Sequence, residues 1–338
     1  MQVLLLGGSG LLSGAAREAF LAAGHDVTVL SRGERALPAA VGLRTLRGDR
    51  RDPASLAGAL AGERFDFTAD FLAFDAVDVA RLFAVPGLAP GRVTMISTGQ
   101  VYLVTADPRP PFRECDADAP LMPEPAAGTR AHANWFYGMG KRAAEAALRQ
   151  AGSERGVPTL ALRLPVVQGE ADGGNSRRLW GWLERLRDGG PVLMPEGGVQ
   201  PVRFVYAGDA AAALVRLAEG PAWPAQPALN LAQPDECSLG DFVLEVARLA
   251  GVPARLVPVD AATLATAGLA DTCAPYWGRW CSRPDPAAAF VALEFRTRGV
   301  IEYLPSVVRA HLANPPAASH EGYAYRAEEL ALAARLEA

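Results

Sequence analysis

The side chains best suited to chemistry in this sequence are a tyrosine and a lysine four residues apart. They are Tyr137 and Lys141 in the run YGMGK, and the residues that follow have the composition of a stable helix. Residues four apart share one face of a helix. A phenol, with an unperturbed pKa of about 10, is a poor base at neutral pH, but a neighbouring ammonium lowers that pKa. The pair could therefore move a proton to or from a substrate hydroxyl.

Composition singles out this lysine. Lys and Arg together number 33, and Lys141 is the only lysine among them. Because every other cation of this kind is an arginine, the one retained lysine indicates a role that a planar guanidinium cannot fill. The alternative is a surface lysine on an amphipathic helix, since tyrosines and lysines also fall four apart by chance.

Bulk properties exclude several classes of protein. The chain has 338 residues, of which 50% are hydrophobic and 21% charged, enough for a large core in one domain or two lobes. The formal net charge of -4 argues against bulk attraction to nucleic acid or to an anionic membrane. The 4 cysteines and 4 histidines lack ligand spacing, which predicts free thiols and no metal. Without a signal-peptide pattern or an apolar run of about 20 residues, we expect a cytoplasmic protein.

A glycine-rich segment follows the first aliphatic run, residues 2–6, and leads into a helical pattern. Glycine permits a tight turn and a close approach of the backbone to a pyrophosphate, while the first amides of the helix point at the anion. The alternative is a plain strand-to-helix turn. The residues predicted here to bind a dinucleotide are Gly7, Ser9, Gly10, Leu11 and Leu12.

The end of the second predicted strand, residues 25–31, bears on the choice of cofactor. An acid there would accept hydrogen bonds from the adenosine ribose of NAD, but the chain has Ser31-Arg32-Gly33. This leaves no carboxylate to repel a 2'-phosphate, and Arg32 could bind one. We therefore expect NADP, with NAD as the alternative cofactor and a solvated Arg32 as the alternative interpretation.

Short aliphatic strands continue to alternate with helices, with strands predicted at 43–46, 65–72, 92–96 and 159–164. This alternation predicts an α/β fold, a Rossmann-type doubly wound parallel sheet with its site at the carboxyl ends of the strands. The further residues predicted to bind the cofactor at these ends are Asp49, Arg50, Phe71, Leu72, Ala73 and Pro165.

The alternation stops after residue 170. We predict a dinucleotide-binding domain at 1–170, to which 202–235 return, and a smaller C-terminal substrate-binding lobe at 171–201 and 236–338.

The long segment 103–135 is interpreted as a flap over the substrate or as a solvated excursion. In the predicted helix 175–188, arginines beside tryptophans favour a solvated face over a packed stripe, and the alternative is phosphate binding.

The order of these motifs resembles one family, the extended short-chain dehydrogenase/reductases of the NAD-dependent epimerase/dehydratase family. The resemblance implies that Tyr137 is the acid/base, that Lys141 holds the nicotinamide ribose and lowers the tyrosine pKa, and that Thr98 binds the reacting oxygen. It also implies an NAD(P)-dependent oxidoreductase or epimerase acting on a hydroxyl or carbonyl carbon of a sugar-like or other small substrate, and a homodimer through the helix bearing Tyr137. The motifs that carry it are Gly7-x-x-Gly10, Asp49, the run STGQVY at 97–102, Tyr137-x-x-x-Lys141 and the run RLP at 163–165.

Two departures from the family pattern affect the expected substrate and function. Ser13 replaces the third glycine of the loop, which predicts wider packing of helix on sheet. Val202 stands where sugar-nucleotide epimerases have an arginine that holds a diphosphate, which argues against a nucleoside-diphosphate sugar. The segments 31–33 and 200–205 are more similar to the branch containing chloroplast stem-loop RNA-binding proteins and their bacterial relatives. The alternative function is therefore a scaffold that binds RNA or a protein partner, although the acidic balance argues against RNA.

Overall fold

The computed structural model describes residues 1–170 and 177–338, which fall into two compact units. The first unit comprises residues 1–167, 204–234 and 282–297, and the second comprises 168–203, 235–281 and 298–338. The predicted C-terminal lobe at 236–338 is therefore interrupted, because residues 282–297 belong to the first unit. They do so because Ala289 and Leu293 are buried in the core of that unit.

The described residues form short strands and longer helices. The strands are β1 (Gln2–Leu6), β2 (Asp26–Ser31), β3 (Leu43–Arg47), β4 (Phe67–Asp70), β5 (Arg92–Thr98), β6 (Thr159–Leu164), β7 (Val166–Gln168), β8 (Val192–Pro195), β9 (Pro201–Val202), β10 (Phe204–Tyr206), β11 (Ala228–Asn230), β12 (Cys237–Ser238) and β13 (Leu256–Val259). The helices are α1 (Leu11–Ala22), α2 (Pro53–Leu60), α3 (Ala76–Phe83), α4 (Gln100–Leu103), α5 (Arg130–Arg155), α6 (Arg178–Arg187), α7 (Ala207–Glu219), α8 (Leu239–Ala250), α9 (Ala261–Thr266), α10 (Ala287–Ala292), α11 (Val300–Ala313) and α12 (Arg326–Leu336). Over the parts of the chain that the structure covers, none of these helices has the length and apolar character needed to cross a bilayer.

The first unit is built on a seven-stranded sheet in the order β11-β6-β5-β4-β1-β2-β3. Each pair of neighbouring strands in it is parallel. The direction in which the chain winds reverses between β1 and β4, which is the point at which ligands bind outside the carboxyl ends of such sheets. The predicted Rossmann-type α/β fold is confirmed.

Helices cover both faces of this sheet, and β1 shows why. Its Val3 and Leu5 pack into a core with helices α1 and α7, whereas Leu4 and Leu6 pack into a second core with α2, α3 and α5. Successive side chains of a strand point to opposite faces, so a continuous aliphatic run needs a cover on each side.

Helix α5, which carries Tyr137 and Lys141, begins earlier than the sequence indicated. Its cap is Thr129, whose hydroxyl oxygen accepts the backbone N–H of His132 at 3.1 Å. Gly156, with a left-handed φ of 64°, ends the helix. Tyr137 therefore lies within the helix, two turns after its start, and the long loop before it ends at residue 129.

This loop is anchored to the first unit along residues 112–117. The amide of Phe112 donates to the carbonyl of Arg283 at 2.9 Å, and the side-chain amide of Asn230 donates to the carbonyl of Phe112 at 2.9 Å. Arg142 of α5 donates to the carbonyl of Ala117 at 2.5 Å. The interpretation of the whole segment as a flap is therefore wrong for these residues, because they are tied to the scaffold.

The second unit contains helices α6, α8, α11 and α12, and its interior includes charged groups. Arg185 of α6 is 0% exposed, and its Nη2 and Nε donate to the carboxylate of Glu329 at 2.6 and 2.9 Å. The interpretation of the α6 arginines as a solvated face is wrong for Arg185, because a carboxylate from α12 neutralises it. Asn175 of the predicted helix lies outside the described residues.

Candidate active site

Lys141 points from α5 to the carboxyl ends of β4 and β5. Its Nζ donates to the carbonyl oxygens of Ala73 and Ile96, both at 2.7 Å. The same atom lies 4.8 Å from the centroid of the Phe74 ring and 5.9 Å from that of the Tyr137 ring. Because Lys141 is only 3% exposed, the interpretation of it as a surface lysine is wrong.

The environment of this ammonium weakens its hold on the proton. Burial lowers the pKa of Lys141 from its ordinary 10.5 to about 8. The charge of Asp70 opposes that lowering of the pKa, and so do the charges of Glu145 and Asp78, whereas Arg50 adds to it. With a pKa of about 8 the side chain stays largely protonated at neutral pH, so it can stabilise a phenolate.

Of the other two predicted catalytic residues, Tyr137 lies on the same helix as Lys141 and Thr98 lies on strand β5. Tyr137 is half-buried, and its ring tilts against that of Phe74 with 6.1 Å between centroids. Thr98 is the last residue of β5, and its hydroxyl oxygen accepts the amide of Gln100 at 3.2 Å. Lys141 reaches β5 through the carbonyl of Ile96, two residues before Thr98, and Tyr137 precedes Lys141 by about one turn of the same helix.

The glycine-rich loop has the geometry that an anion requires. Gly7 has a φ of +93°, which favours glycine, and a Cβ on Gly8 would lie 2.5 Å from Cγ1 of Val29 on β2. The tip of the loop, Ser9 and Gly10, is exposed. Leu11 and Leu12 form the first turn of α1, where backbone N–H groups have no partner within the helix. The residues present therefore fit a pyrophosphate.

Two polar side chains of α1 support this loop. The hydroxyl of Ser13 accepts the amide of Gly10 at 3.1 Å, so the residue that replaces the usual third glycine contacts the loop directly. The guanidinium of Arg17 is buried and donates to the carbonyl of Gly8 at 2.7 Å. Sequence reasoning missed Arg17, whose signal would have been a cation inside the apolar pattern of α1.

The predicted nucleotide-selecting residues follow β2 and β3. Ser31 ends β2, and its hydroxyl accepts the amide of Gly33 at 3.3 Å. Arg32 pairs with Glu34 at 3.0 Å, and these side chains are 61% and 64% exposed. Asp49, half-buried after β3, accepts the amide of Arg51 at 2.9 Å.

Arg50 follows Asp49, and its side chain is directed into the interior of the first unit. Its guanidinium is buried and contacts the carboxylate of Asp70 at 2.5 Å and the carbonyl of Asp78 at 2.8 Å. The side-chain donors of Arg50 therefore serve the architecture of the site, and a contact of this residue with the cofactor stays a prediction for its backbone.

The remaining predicted cofactor residues follow β4 and β6. The amides of Leu72 and Ala73 both donate to the carboxylate of Asp70, at 2.9 and 3.0 Å. Phe71 precedes them, and the Leu72 side chain lies against Gly7 of the glycine loop. Pro165 is buried directly after β6. Each of these positions lies at the carboxyl edge of the sheet.

A buried polar network adjoins the end of β5, and sequence reasoning missed it. Glu145 of α5 accepts hydrogen bonds from the hydroxyl of Ser97 at 2.5 Å and from Arg163 at 2.6 Å. Arg163 also donates to the hydroxyl of Tyr102 at 3.0 Å, which in turn donates to Asn230 at 2.6 Å. Its only sequence signal is that Glu145 follows Lys141 by one helical turn.

Together, the sheet order, the exposed glycine loop and the buried lysine beside a tyrosine are typical of the short-chain dehydrogenase/reductase class. The sequence model of the NAD dependent epimerase/dehydratase family matches residues 3–232, and the chain belongs to this family. A curated relative, 2'-dehydrokanamycin reductase of Streptomyces kanamyceticus, is 30% identical over 222 residues. That match covers 64% of this chain, which spans 58% of the length of the relative.

Solved structures share the fold. The UDP-glucose 4-epimerase of Thermus thermophilus, solved in complex with NAD, has a TM-score of 0.69 at 19% identity over 93% of this chain and 100% of that one. The dTDP-glucose 4,6-dehydratase of Streptomyces venezuelae, solved with NAD and TYD bound, has a TM-score of 0.67 at 18% identity over 93% and 98% of the two chains. At this identity the likeness concerns the fold.

Proposed function

We propose that this protein is an NAD(P)-dependent oxidoreductase that interconverts a hydroxyl and a carbonyl carbon of a sugar-like or other small substrate. The observation that carries the proposal is the buried Lys141 ammonium, held by two carbonyl oxygens at 2.7 Å on the helix face of Tyr137. Burying a cation costs free energy. A buried ammonium at the carboxyl edge of the sheet, where such folds bind their ligands, therefore indicates a catalytic role.

The residues take distinct roles in this chemistry. When bound, the nicotinamide accepts or supplies the hydride at C4. The phenolic oxygen of Tyr137 takes the hydroxyl proton during oxidation and returns it during reduction. The charge of Lys141 favours the phenolate, and the hydroxyl of Thr98 donates a hydrogen bond to the reacting oxygen.

Two observations favour a reductase of a carbonyl compound over a sugar-nucleotide epimerase. The curated relative is named as a 2'-dehydrokanamycin reductase, and that name includes no nucleotide. Val202 lacks the charge that a diphosphate needs. We therefore place the substrate among sugar-like carbonyl compounds without a nucleoside diphosphate.

The cofactor that we propose is NADP, with NAD as the alternative. The support is the sequence at the end of β2, where Ser31 and Arg32 stand instead of a carboxylate. A reductase releases the oxidised cofactor at each turnover, so we expect NADP to exchange freely with solution.

We propose a homodimer through α5, the helix bearing Tyr137, and the preceding helix α3. Ala144 and Leu148 of α5 are not part of the proposed interface, because they are buried in the core of the first unit and pack on the sheet. Val77 of α3 and Phe136 of α5 are exposed and remain available to a second copy. A monomer in light scattering at micromolar concentration would remove the idea.

The proton-transfer role of Tyr137 can be tested by removing its hydroxyl. Tyr137→Phe deletes the proton path but keeps the ring, so NADPH oxidation with a reducible sugar-like ketone should fall by at least about a hundredfold. Calorimetric affinity for NADP should stay within about twofold of the parent, since the phenolic oxygen acts on substrate. Tyr325→Phe, the same change at an exposed tyrosine, is the matched control and should leave the rate unchanged. Full turnover in Tyr137→Phe would refute the proposal.

The alternative of a scaffold that binds RNA or a protein has less support. The branch resemblance suggests it, but retention of both Tyr137 and Lys141 favours the enzyme. Micromolar binding of structured RNA with a steep dependence on salt would reverse this preference.

A further inference from the structure

A buried cluster of charges adjoins Lys141, and the proposed chemistry does not use it directly. It consists of Arg50 after β3, Asp70 at the end of β4 and Asp78 in the first turn of α3, and all three are buried. Arg50 bridges the two carboxylates, contacting Asp70 Oδ1 at 2.5 Å and Asp78 Oδ1 at 3.5 Å. Buried charges are expensive unless paired, so a cluster of three calls for an explanation.

The carboxylates shape the turn that receives the ammonium. Asp70 accepts the amides of Leu72 and Ala73 at 2.9 and 3.0 Å, and Asp78 accepts the amide of Phe74 at 2.9 Å. The carbonyl of Ala73 and the ring of Phe74 are in turn two of the groups that Lys141 contacts. Both contacts are therefore presented by a backbone segment whose amides the two carboxylates hold.

The cluster also sets the local charge. The groups that act on the Lys141 ammonium are Asp70, Asp78 and Arg50 from this cluster and Glu145 from its own helix, with Tyr137 as its ring neighbour. The two carboxylates act on three cations, which are Arg50, Lys141 and the partly exposed Arg81, whose Nη1 lies 3.6 Å from Oδ1 of Asp78. Removing the charge of the buried Asp70 or Arg50 therefore changes the electrostatic potential at Lys141, because these surroundings screen charge poorly.

We propose that Asp70, held by Arg50, is a positioning residue for Lys141, fixing the turn that binds the ammonium and stabilising its positive charge. The inference deepens the proposed function, since it assigns the control of the Tyr137–Lys141 pair to residues outside it. Arg50 then has a role at the active site through the contacts of its side chain with the two aspartates.

The single lysine makes the proposal directly measurable. Protein labelled with lysine carrying ¹³C at Cε has one such resonance, and its pH titration gives the protonation midpoint of Lys141, expected at about 8 in the parent. Asp70→Asn keeps an oxygen acceptor for the two amides but removes the negative charge, so the midpoint should fall by about one pH unit. Arg50→Gln removes a positive charge, so the midpoint should rise.

Opposite shifts separate this proposal from a merely structural role, because simple loosening would move both variants towards the value of about 10.4 for exposed lysine. Asp66→Asn is the matched control, since Asp66 precedes the same strand at its other end and accepts the amide of Gln2 at 2.7 Å. Its midpoint should match the parent.

An unchanged midpoint in Asp70→Asn, or a shift in the same direction in both variants, would overturn the inference. If Asp70→Asn does not fold, the size of the shift in Arg50→Gln decides. A midpoint that fails to rise, or that rises all the way to the value of about 10.4 for exposed lysine, overturns the inference. The titration needs neither cofactor nor substrate, so its failure is distinct from that of the proposed function, which a lack of nucleotide binding would show.

Discussion

At the scale of the residue, Lys141 shows why one lysine persists in an arginine-rich chain. An ammonium has three donors around one compact atom, and here two of them meet the carbonyls of Ala73 and Ile96 at 2.7 Å. We assign the third donor to a hydroxyl of the nicotinamide ribose. A planar guanidinium spreads its donors over a wide fork and would not place them on these two carbonyls and a ribose together.

Substitutions of Arg32 and of Glu34 by alanine should change the affinity for NADP in opposite directions. Arg32→Ala should weaken NADP about tenfold, the lower end expected for a charge-assisted contact, because the guanidinium is 61% exposed. Glu34→Ala should tighten NADP severalfold, since it frees Arg32 from an exposed pair and removes a charge that repels a phosphate. Calorimetric titration of each variant with NADP measures both effects.

NAD is the internal control for this pair of variants, because it lacks the 2'-phosphate. Its affinity should change by less than about twofold in either one, as neither side chain is assigned to any other part of the nucleotide. Equal affinities for NAD and NADP in the parent protein would leave Arg32 without the role that we propose.

At the scale of the element, the stability of the glycine loop and its fit to a dinucleotide depend on its close approach to β2. Gly8→Ala would place a Cβ 2.5 Å from Cγ1 of Val29, so we expect a loss of about 1–3 kcal/mol in the free energy of unfolding and weaker dinucleotide binding. Gly14→Ala, six residues on, meets nothing closer than the carbonyl of Gly8 at 3.9 Å. It should be neutral or stabilising by up to about 1 kcal/mol, because alanine favours the helix.

Denaturant unfolding and calorimetry of both variants check this contrast. Adding Val29→Ala to Gly8→Ala should recover part of the lost nucleotide affinity, since it removes the methyl group that the new Cβ meets. Gly8→Ala with the stability and affinity of the parent would show that the loop and β2 are not constrained as described.

The elements themselves were predictable where local pattern decides them. The aliphatic run at 159–164 gave β6 with its observed bounds, and alternation of strands with helices gave the parallel sheet. Pairings across long stretches of chain were not predictable. Arg50 meets Asp70 20 residues away, and Arg185 meets Glu329 144 residues away, and no local pattern ties either arginine to its carboxylate. For that reason the sequence alone indicates neither the carboxylate that pairs with Arg50 nor the one that pairs with Arg185.

At the scale of the whole molecule, the two units divide the structure unevenly. The first unit holds every residue to which we assign a role in catalysis or cofactor binding. In the second unit, helix α12 packs into the interior, where its Glu329 neutralises the buried Arg185. We propose that this second unit recognises the substrate, since the residues proposed for cofactor binding and proton transfer all belong to the first.

The most direct test of the account is to add NADP to protein labelled with ¹³Cε lysine and follow the single Lys141 resonance. We predict a saturable shift of this resonance with the same dissociation constant that calorimetry gives for NADP, because the ribose should take the third donor of the ammonium. Calorimetric binding that saturates while the resonance stays in place, or no binding at all, would contradict a cofactor seated beside Tyr137 and Lys141.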